Sequence, residues 1–111
     1  MIKKTDKIYV AGHNGLVGSS IIRELKKQGY KNIIYKSRHQ LNLINQSRVY
    51  KFLKKEKPKF VFIAAAKVGG ILTNNSLRGQ FIFENLAIQN NLIDGSFQTG
   101  IKDLIFLGSN C

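Results

Sequence analysis

The spacing of hydrophobic and polar positions changes several times along this chain and divides it into strand-like and helix-like segments. Short apolar runs, rich in β-branched or aromatic residues, predict four strands at residues 8–10, 32–35, 60–66 and 104–107. Apolar residues at helical spacing predict helices from residue 16 to a C-cap at Gly29, at about 46–57 and at about 79–99. The third strand is apolar throughout, which is typical of a parallel strand covered on both faces.

Each predicted helix has one apolar side that we expect to be buried. The first helix carries Val17, Ile21 and Leu25, the second Val49, Phe52 and Leu53, and the third Ile82, Leu86, Ile93 and Phe97. Strands that alternate with helices predict an α/β fold with a parallel sheet and right-handed crossovers. The expected architecture is therefore a Rossmann-like, doubly wound sheet within a single domain.

The chain's length and cysteine content limit the number of domains and the kind of protein that it can be. Its 111 residues are enough for one domain and carry one cysteine, Cys111, so no disulfide can form within the chain. Neither a signal peptide nor a membrane-spanning run is recognisable in the sequence. These features favour a soluble cytoplasmic protein.

The net charge of +12 allows two interpretations. One is a surface that binds anions such as phosphates or nucleic acid. The other is an ordinary lysine-rich solvated surface. Lysines are spread along the chain, and the aromatic residues do not alternate with them. This distribution favours the second interpretation and makes nucleic acid an improbable partner.

Three glycines, Gly12, Gly15 and Gly18, lie between the first predicted strand and the first predicted helix. In that position, glycines permit a tight turn, close approach of a pyrophosphate and close packing of the helix on the strand. The amides of the helix N-terminus then face the phosphates. The alternative is a glycine-rich turn without a ligand, but the position favours a dinucleotide site.

The end of the second predicted strand bears on the choice of cofactor. Domains that bind NAD usually place an acidic residue there to accept from the ribose 2′-hydroxyl. This chain has Lys36, Ser37 and Arg38 instead. Cations suit the 2′-phosphate of NADP, because arginine can bind it in a bidentate manner. A solvated basic loop is the alternative.

Four stretches together carry a family resemblance: "AGHNGLVGS", "SRHQLNL", "AAAKVGGI" and "FLGSNC". With the spacing G-x-x-G-x-x-G, the chain resembles the GDP-L-fucose synthase family of extended short-chain dehydrogenase/reductases. The resemblance implies an NADP(H)-dependent epimerase–reductase that converts GDP-4-keto-6-deoxy-mannose to GDP-L-fucose. It also implies a homodimer in the full-length enzyme, without a membrane or a metal ion.

The resemblance assigns roles residue by residue. It implies that NADP(H) contacts Gly12, His13, Asn14, Gly15, Leu16, Val17, Gly18, Arg38, Asn42, Leu43, Ala64, Ala65, Ala66, Leu107, Gly108, Ser109 and Asn110. It implies that Ser109 hydrogen-bonds the reacting carbonyl and that the Cys111 thiol moves a proton during epimerisation. His13 is expected to have no catalytic role.

Two residues depart from the family pattern. Asn14 stands where the family often has arginine, which removes one expected phosphate contact. Asn110 stands where serine is usual, and its amide can still donate a hydrogen bond.

The family's Tyr-x-x-x-Lys pair should lie beyond Ser109, so the chain is expected to lack it. We therefore expect an N-terminal fragment that lacks the substrate domain and is inactive alone. The expected strand order is 3-2-1-4, with an incomplete edge at the fourth strand. Two alternatives remain: a fragment of another NAD(P)-dependent sugar-nucleotide epimerase or dehydratase, and a non-catalytic basic nucleotide-binding module.

Overall fold

The structure, a computed structural model, describes residues 2–64 and 75–107, in which four strands alternate with three helices. The elements are β1 (Ile8–Ala11), α1 (Leu16–Lys27), β2 (Ile33–Ile34), α2 (Gln46–Glu56), β3 (Phe60–Ile63), α3 (Asn75–Gln98) and β4 (Asp103–Phe106). The predicted alternation is confirmed, although β2 is shorter than expected and α3 begins four residues earlier.

The four strands form one parallel sheet in the order β2-β1-β3-β4. This confirms the Rossmann-like class, but the expected order 3-2-1-4 is wrong, because β3 pairs with β1 and not with β2. Ile8 lies opposite Phe60, and Ala11 lies opposite Ile63. The inner strands β1 and β3 are more buried than the edge strands β2 and β4. A place beside β1 gives all four residues of β3 a partner, whereas β2 has only two residues to pair.

The connection from β1 leads to β2 on one side, whereas β3 and β4 lie on the other side of β1. This change in the direction of the connections places the helices on opposite faces of the sheet. Right-handed connections put α1 on one face and both α2 and α3 on the other. Ile8 and Val10 pack with Ile22 of α1. Tyr9 and Ala11 alternate with them and pack toward α2 and α3. The buried residues of α1 are Gly18 and Ile22, whereas Val17, which was predicted to be buried, is half exposed.

The helices α2 and α3 pack closely because one of them carries a small residue at the contact. Val49 and Leu53 of α2 are fully buried. A Cβ atom on Gly95 of α3 would lie only 3.0 Å from Cδ1 of Leu53. The start of α2 is fixed by Asn45, whose side chain accepts a hydrogen bond of 3.1 Å from the backbone N–H of Arg48.

The predicted buried side of α3 is wrong. The four residues expected there, Ile82, Leu86, Ile93 and Phe97, are between 49% and 77% exposed. The side that packs on the sheet instead carries Ile88 and Leu92, with Gly95 and Ser96 beside them. Apolar residues occur on both sides of α3, so periodicity alone does not select the buried one; the small residues allow the closer approach.

The strand β4 forms one edge of the sheet, as expected. Ile105 and Phe106 are 38% and 45% exposed, and within residues 2–64 and 75–107 no strand pairs with the outer side of β4. None of the helices in these ranges has the length and apolarity needed to cross a membrane.

Candidate functional site

The glycine loop lies where the strand order reverses. From β1, the chain continues to β2 on one side, and β3 lies on the other side, so the carboxyl ends of β1 and β3 flank a crevice. Open α/β sheets bind ligands at such a position. Gly12 follows β1 directly and has a φ of +88°, a conformation that other residues adopt only with strain.

The other two glycines of the loop are constrained in different ways. A Cβ atom on Gly18 would collide with the backbone carbonyl of Gly12, so α1 can approach the loop only because Gly18 has no side chain. Gly15 has an ordinary extended conformation, and its Cβ would lie 3.5 Å from the Gly12 oxygen, a normal contact. Folding therefore requires glycine at 12 and 18, whereas Gly15 keeps open space beside the loop.

The N-terminus of α1 begins at Gly15, which lines a pocket beside the loop and offers no side-chain cap. Its first turn contains no acidic residue, and Gly15, the N-cap residue, has no side chain that could cap the helix. Leu16 is 84% exposed and Val17 is 50% exposed. Both belong to the first turn of α1, so their backbone amides have no partner within the helix. Uncapped amides and the positive end of the helix dipole favour a bound anion.

A pocket of about 350 Å³ opens beside the glycine loop. Its lining is Gly12, His13, Asn14, Gly15, Lys36, Arg38, Leu41, Asn42, Leu43, Ile44, Ala64 and Ile88. The structure thus brings together eight of the predicted cofactor residues, those at positions 12–15, 38, 42, 43 and 64. Four other predicted residues, Leu16, Val17, Gly18 and Leu107, are described but do not line it.

One end of the pocket is basic. Lys36 and Arg38 line it just beyond β2, and none of its described lining residues is acidic. A turn presents Arg38: the backbone N–H of Ser37 donates to Oε1 of Gln40 at 2.9 Å, and the Gln40 N–H donates to the Ser37 carbonyl at 3.0 Å. Two cations without a carboxylate form a site for a phosphate group rather than for a ribose hydroxyl.

Another part of the pocket lining is an apolar wall. Leu41 and Ile88 are 5% and 6% exposed, and they lie with the partly buried Leu43 and Ile44. Sequence reasoning missed Leu41, Ile44 and Ile88. Leu41 and Ile44 adjoin predicted residues, but Ile88 comes from the middle of α3 and carries no local motif. An apolar wall of this kind suits a flat aromatic ring.

Several predicted site residues lie outside the described residues: Ala65, Ala66, Gly108, Ser109, Asn110 and Cys111. Leu107 immediately precedes the last group, and its N–H donates to the Ile63 carbonyl at 3.0 Å. The carboxyl ends of β3 and β4 are therefore held side by side. In the described ranges, no group of three or more His, Cys, Asp or Glu side chains is placed to hold a metal ion.

The spacing Tyr-x-x-x-Lys does occur once in the sequence, although not beyond Ser109, where the family's pair is expected. Tyr50 and Lys54 have this spacing on α2, with the Lys54 ammonium 6.0 Å from the centre of the Tyr50 ring. Neither residue lines the glycine-loop pocket. Tyr50 lies instead in a separate cleft between α2 and α3 with Asp94 and Gly95. This pair is therefore not placed to act at the pocket.

Comparison with known proteins places these features in a family. Residues 8–111 match the model of the NAD dependent epimerase/dehydratase family. The matched segment includes every element from β1 to β4 and the whole glycine loop.

Individual relatives are similar over nearly the whole chain. GDP-L-fucose synthase 1 of Arabidopsis thaliana is 50% identical over 111 residues, which are 100% of this chain and 34% of that protein. GDP-L-fucose synthase of Escherichia coli is 40% identical over 95% of this chain and 33% of its own length. The solved structure of a GDP-mannoheptose C4 reductase from Campylobacter jejuni with NADP bound has a TM-score of 0.89 and 43% identity, covering 96% of this chain and 33% of that one. The chain spans about a third of the length of the curated relatives it matches.

Proposed function

This chain belongs to the NAD dependent epimerase/dehydratase family, and we propose that it is the NADP(H)-binding part of a reductase of GDP-4-keto sugars. The observation that carries the proposal is the pocket at the carboxyl ends of β1 and β3, which joins the glycine loop to Lys36 and Arg38. Similarity to a reductase solved with NADP supports the choice of cofactor.

The residues of the pocket fit the cofactor. The apolar wall suits the adenine ring, Lys36 and Arg38 suit the 2′-phosphate, and the uncapped N-terminus of α1 suits the pyrophosphate. Gly15 leaves room for that pyrophosphate to approach the backbone. When bound, NADPH supplies the hydride that reduces the ketone at C4 of the sugar.

We propose GDP-4-keto-6-deoxy-mannose as the substrate of the full-length enzyme, with GDP-L-fucose as its product. Relatives named GDP-L-fucose synthase, at 40% and 50% identity, support this substrate. A GDP-linked 4-keto-heptose is the second candidate, favoured by the 43% identity to the GDP-mannoheptose C4 reductase. Turnover of the two keto sugars by the full-length enzyme, compared at equal concentration, separates the candidates.

We further propose that residues 1–111 bind the cofactor but do not reduce the sugar alone. The described pocket contains no tyrosine that could donate a proton to the C4 oxygen, and Tyr50 lies in another cleft. The hydrogen bond from Ser109 to the substrate carbonyl and the proton transfer by Cys111 are part of the proposal. Reduction of a keto sugar by the isolated 111 residues would contradict it.

We expect Arg38→Ala to weaken NADPH binding by about 10- to 100-fold, because the 2′-phosphate loses a charge-assisted contact. The affinity for NADH, which lacks that phosphate, should change much less. Fluorescence titration with both cofactors measures the two dissociation constants. Arg23→Ala is the matched control, since Arg23 bonds to Ser20 on the exposed side of α1 and does not line the pocket. An equal loss for both cofactors would contradict recognition of the 2′-phosphate by Arg38.

We also propose that the full-length enzyme is a homodimer. The apolar side of α3, formed by Ile82, Leu86, Ile93 and Phe97, is exposed, and apolar patches of this kind mark protein contacts. We expect Ile93→Glu to shift the full-length enzyme from dimer toward monomer in sedimentation velocity, because burial of an unpaired carboxylate is costly. Lys102→Glu, at an exposed site outside α3, is the charge control. A wild-type monomer, or an unchanged dimer in Ile93→Glu, would contradict this assignment.

A further inference from the structure

One largely buried side-chain amide, that of Asn91 on α3, donates hydrogen bonds to the backbone of the apolar wall. The wall segment, residues 41–44, contributes all four of its residues to the pocket lining. Nδ2 of Asn91, on α3, lies 2.8 Å from the carbonyl oxygen of Leu43 and 2.9 Å from that of Ile44. Carbonyl oxygens only accept, so both N–H groups of the Asn91 amide are directed at this segment.

These two bonds are polar contacts added to the apolar packing of the wall segment on the core. Asn91 is 9% exposed, and it also lines the cleft between α2 and α3 that contains Tyr50. Within the wall segment, the Ile44 N–H donates to Oδ1 of Asn42 at 3.1 Å, and the Asn45 N–H donates to the Asn42 carbonyl at 3.0 Å. These bonds shape the segment internally, whereas the two Asn91 bonds fix it relative to α3.

Asn91 also connects two parts of the same wall. Ile88, three residues earlier on α3, lines the pocket directly. A shift of the wall segment against α3 would separate Leu43 and Ile44 from Ile88 and widen the pocket between them. The two Asn91 bonds therefore act together with the apolar packing of Leu41, Leu43 and Ile44 around Ile88 to set the distance between the two parts.

We infer that Asn91 is a positioning residue for the adenine half of NADP(H): it sets the wall against which the adenine ring packs and does not touch the cofactor. Asn91 is absent from the pocket lining, so its effect is indirect. This inference rests on the proposed function. It also makes a distinct claim, because a residue with a purely structural role would lower stability without discriminating between the two halves of the cofactor.

The test measures binding of adenosine 2′,5′-bisphosphate and of reduced nicotinamide mononucleotide by the full-length enzyme. In Asn91→Leu, the dissociation constant for adenosine 2′,5′-bisphosphate should rise about 10-fold, since two hydrogen bonds that hold the wall are lost. The constant for the mononucleotide should stay within about twofold, because the wall lies away from the nicotinamide. Asn91→Gln keeps the NH₂ donor and should recover part of the affinity.

Asn90→Asp and Asn91→Asp form a matched pair. Both add one negative charge to the same turn of α3, but Asn90 is exposed and only Asn91 contacts the wall. The first should leave adenosine 2′,5′-bisphosphate binding within about twofold, and the second should weaken it more than Asn91→Leu, because a carboxylate repels the carbonyls of Leu43 and Ile44.

The outcomes separate the two claims. If the wild-type enzyme does not bind adenosine 2′,5′-bisphosphate, the proposed function fails. If it binds, and folded Asn91→Leu binds equally well or loses both ligands alike, the positioning role fails. Should Asn91→Leu not fold, Asn91→Ser replaces it, because serine adds no bulk and cannot reach both carbonyls; unchanged affinity in that variant overturns the inference.

Discussion

Replacement of Gly18 by alanine is expected to lower the free energy of unfolding by about 3 kcal/mol. The added Cβ would collide with the Gly12 carbonyl oxygen and lie 2.7 Å from its carbonyl carbon. Both groups are backbone, so the conflict can be relieved only by moving the loop or the helix α1. Because Gly12 already has a constrained φ of +88°, the loop has little freedom to adjust.

The control for this change is Gly79→Ala in α3, where no described atom beyond the local helix backbone lies within 4 Å of the added Cβ. Alanine is the better helix former, so this variant should gain about 0.5–1 kcal/mol. Glycine-to-alanine substitution is thus expected to lower the free energy of unfolding at position 18 and to raise it at position 79. Urea unfolding of both variants measures the difference, and a stabilised Gly18→Ala would contradict the collision.

The second large effect is expected at Gly15, on binding rather than on stability. Gly15→Ala should unfold within about 1 kcal/mol of the wild type, because its conformation suits any residue and its Cβ meets only a normal contact. The new methyl group would occupy the space in front of the α1 N-terminus. We expect NADPH affinity to fall about 100-fold, since the pyrophosphate would lose charge-assisted bonds to the amides.

Two measurements on the same sample keep this prediction separate from misfolding. Urea unfolding reports the stability of Gly15→Ala, and fluorescence titration reports its affinity for NADPH. Gly79→Ala again serves as the control, with affinity unchanged because Gly79 does not line the pocket. Unaltered NADPH binding in Gly15→Ala would show that the cofactor does not approach the N-terminus of α1.

Sequence patterns predicted the elements well because each element carries its own local signals. Pro58 follows α2, glycines follow α1 and α3, and β3 is apolar throughout. The strand order was missed because pairing is a non-local property. No local feature of β3 predicts that it pairs with β1. The strand order depends on how the whole chain packs its helices and strands together.

The prediction for α3 failed for a related reason. Ile82, Leu86, Ile93 and Phe97 share one side of the helix, as a buried stripe would. The other side has fewer large residues, but Gly95 and Ser96 let it approach α2 and the sheet. Periodicity weighs only hydrophobicity, whereas close packing here depends on small volume.

The residues of the candidate site also fall into two groups, those that a local motif reveals and those that only tertiary packing brings to the pocket. Residues within a motif or beside one, such as Gly15, Arg38 and Asn42, were found from the sequence and line the pocket. Ile88 and Asn91 were not found, because they lie more than forty residues away in sequence and reach the wall only through the packing of α3. A motif locates the phosphate loop, but tertiary packing builds the rest of the pocket.

The three loop glycines also carry different kinds of evolutionary information. Gly12 and Gly18 are required by the fold itself, so selection for a stable protein retains them whether or not a nucleotide binds. Gly15 is retained only while a ligand needs the space that it leaves. A homologue that keeps the first and third glycines but has a larger residue at the second is therefore expected to have lost its nucleotide and kept its fold.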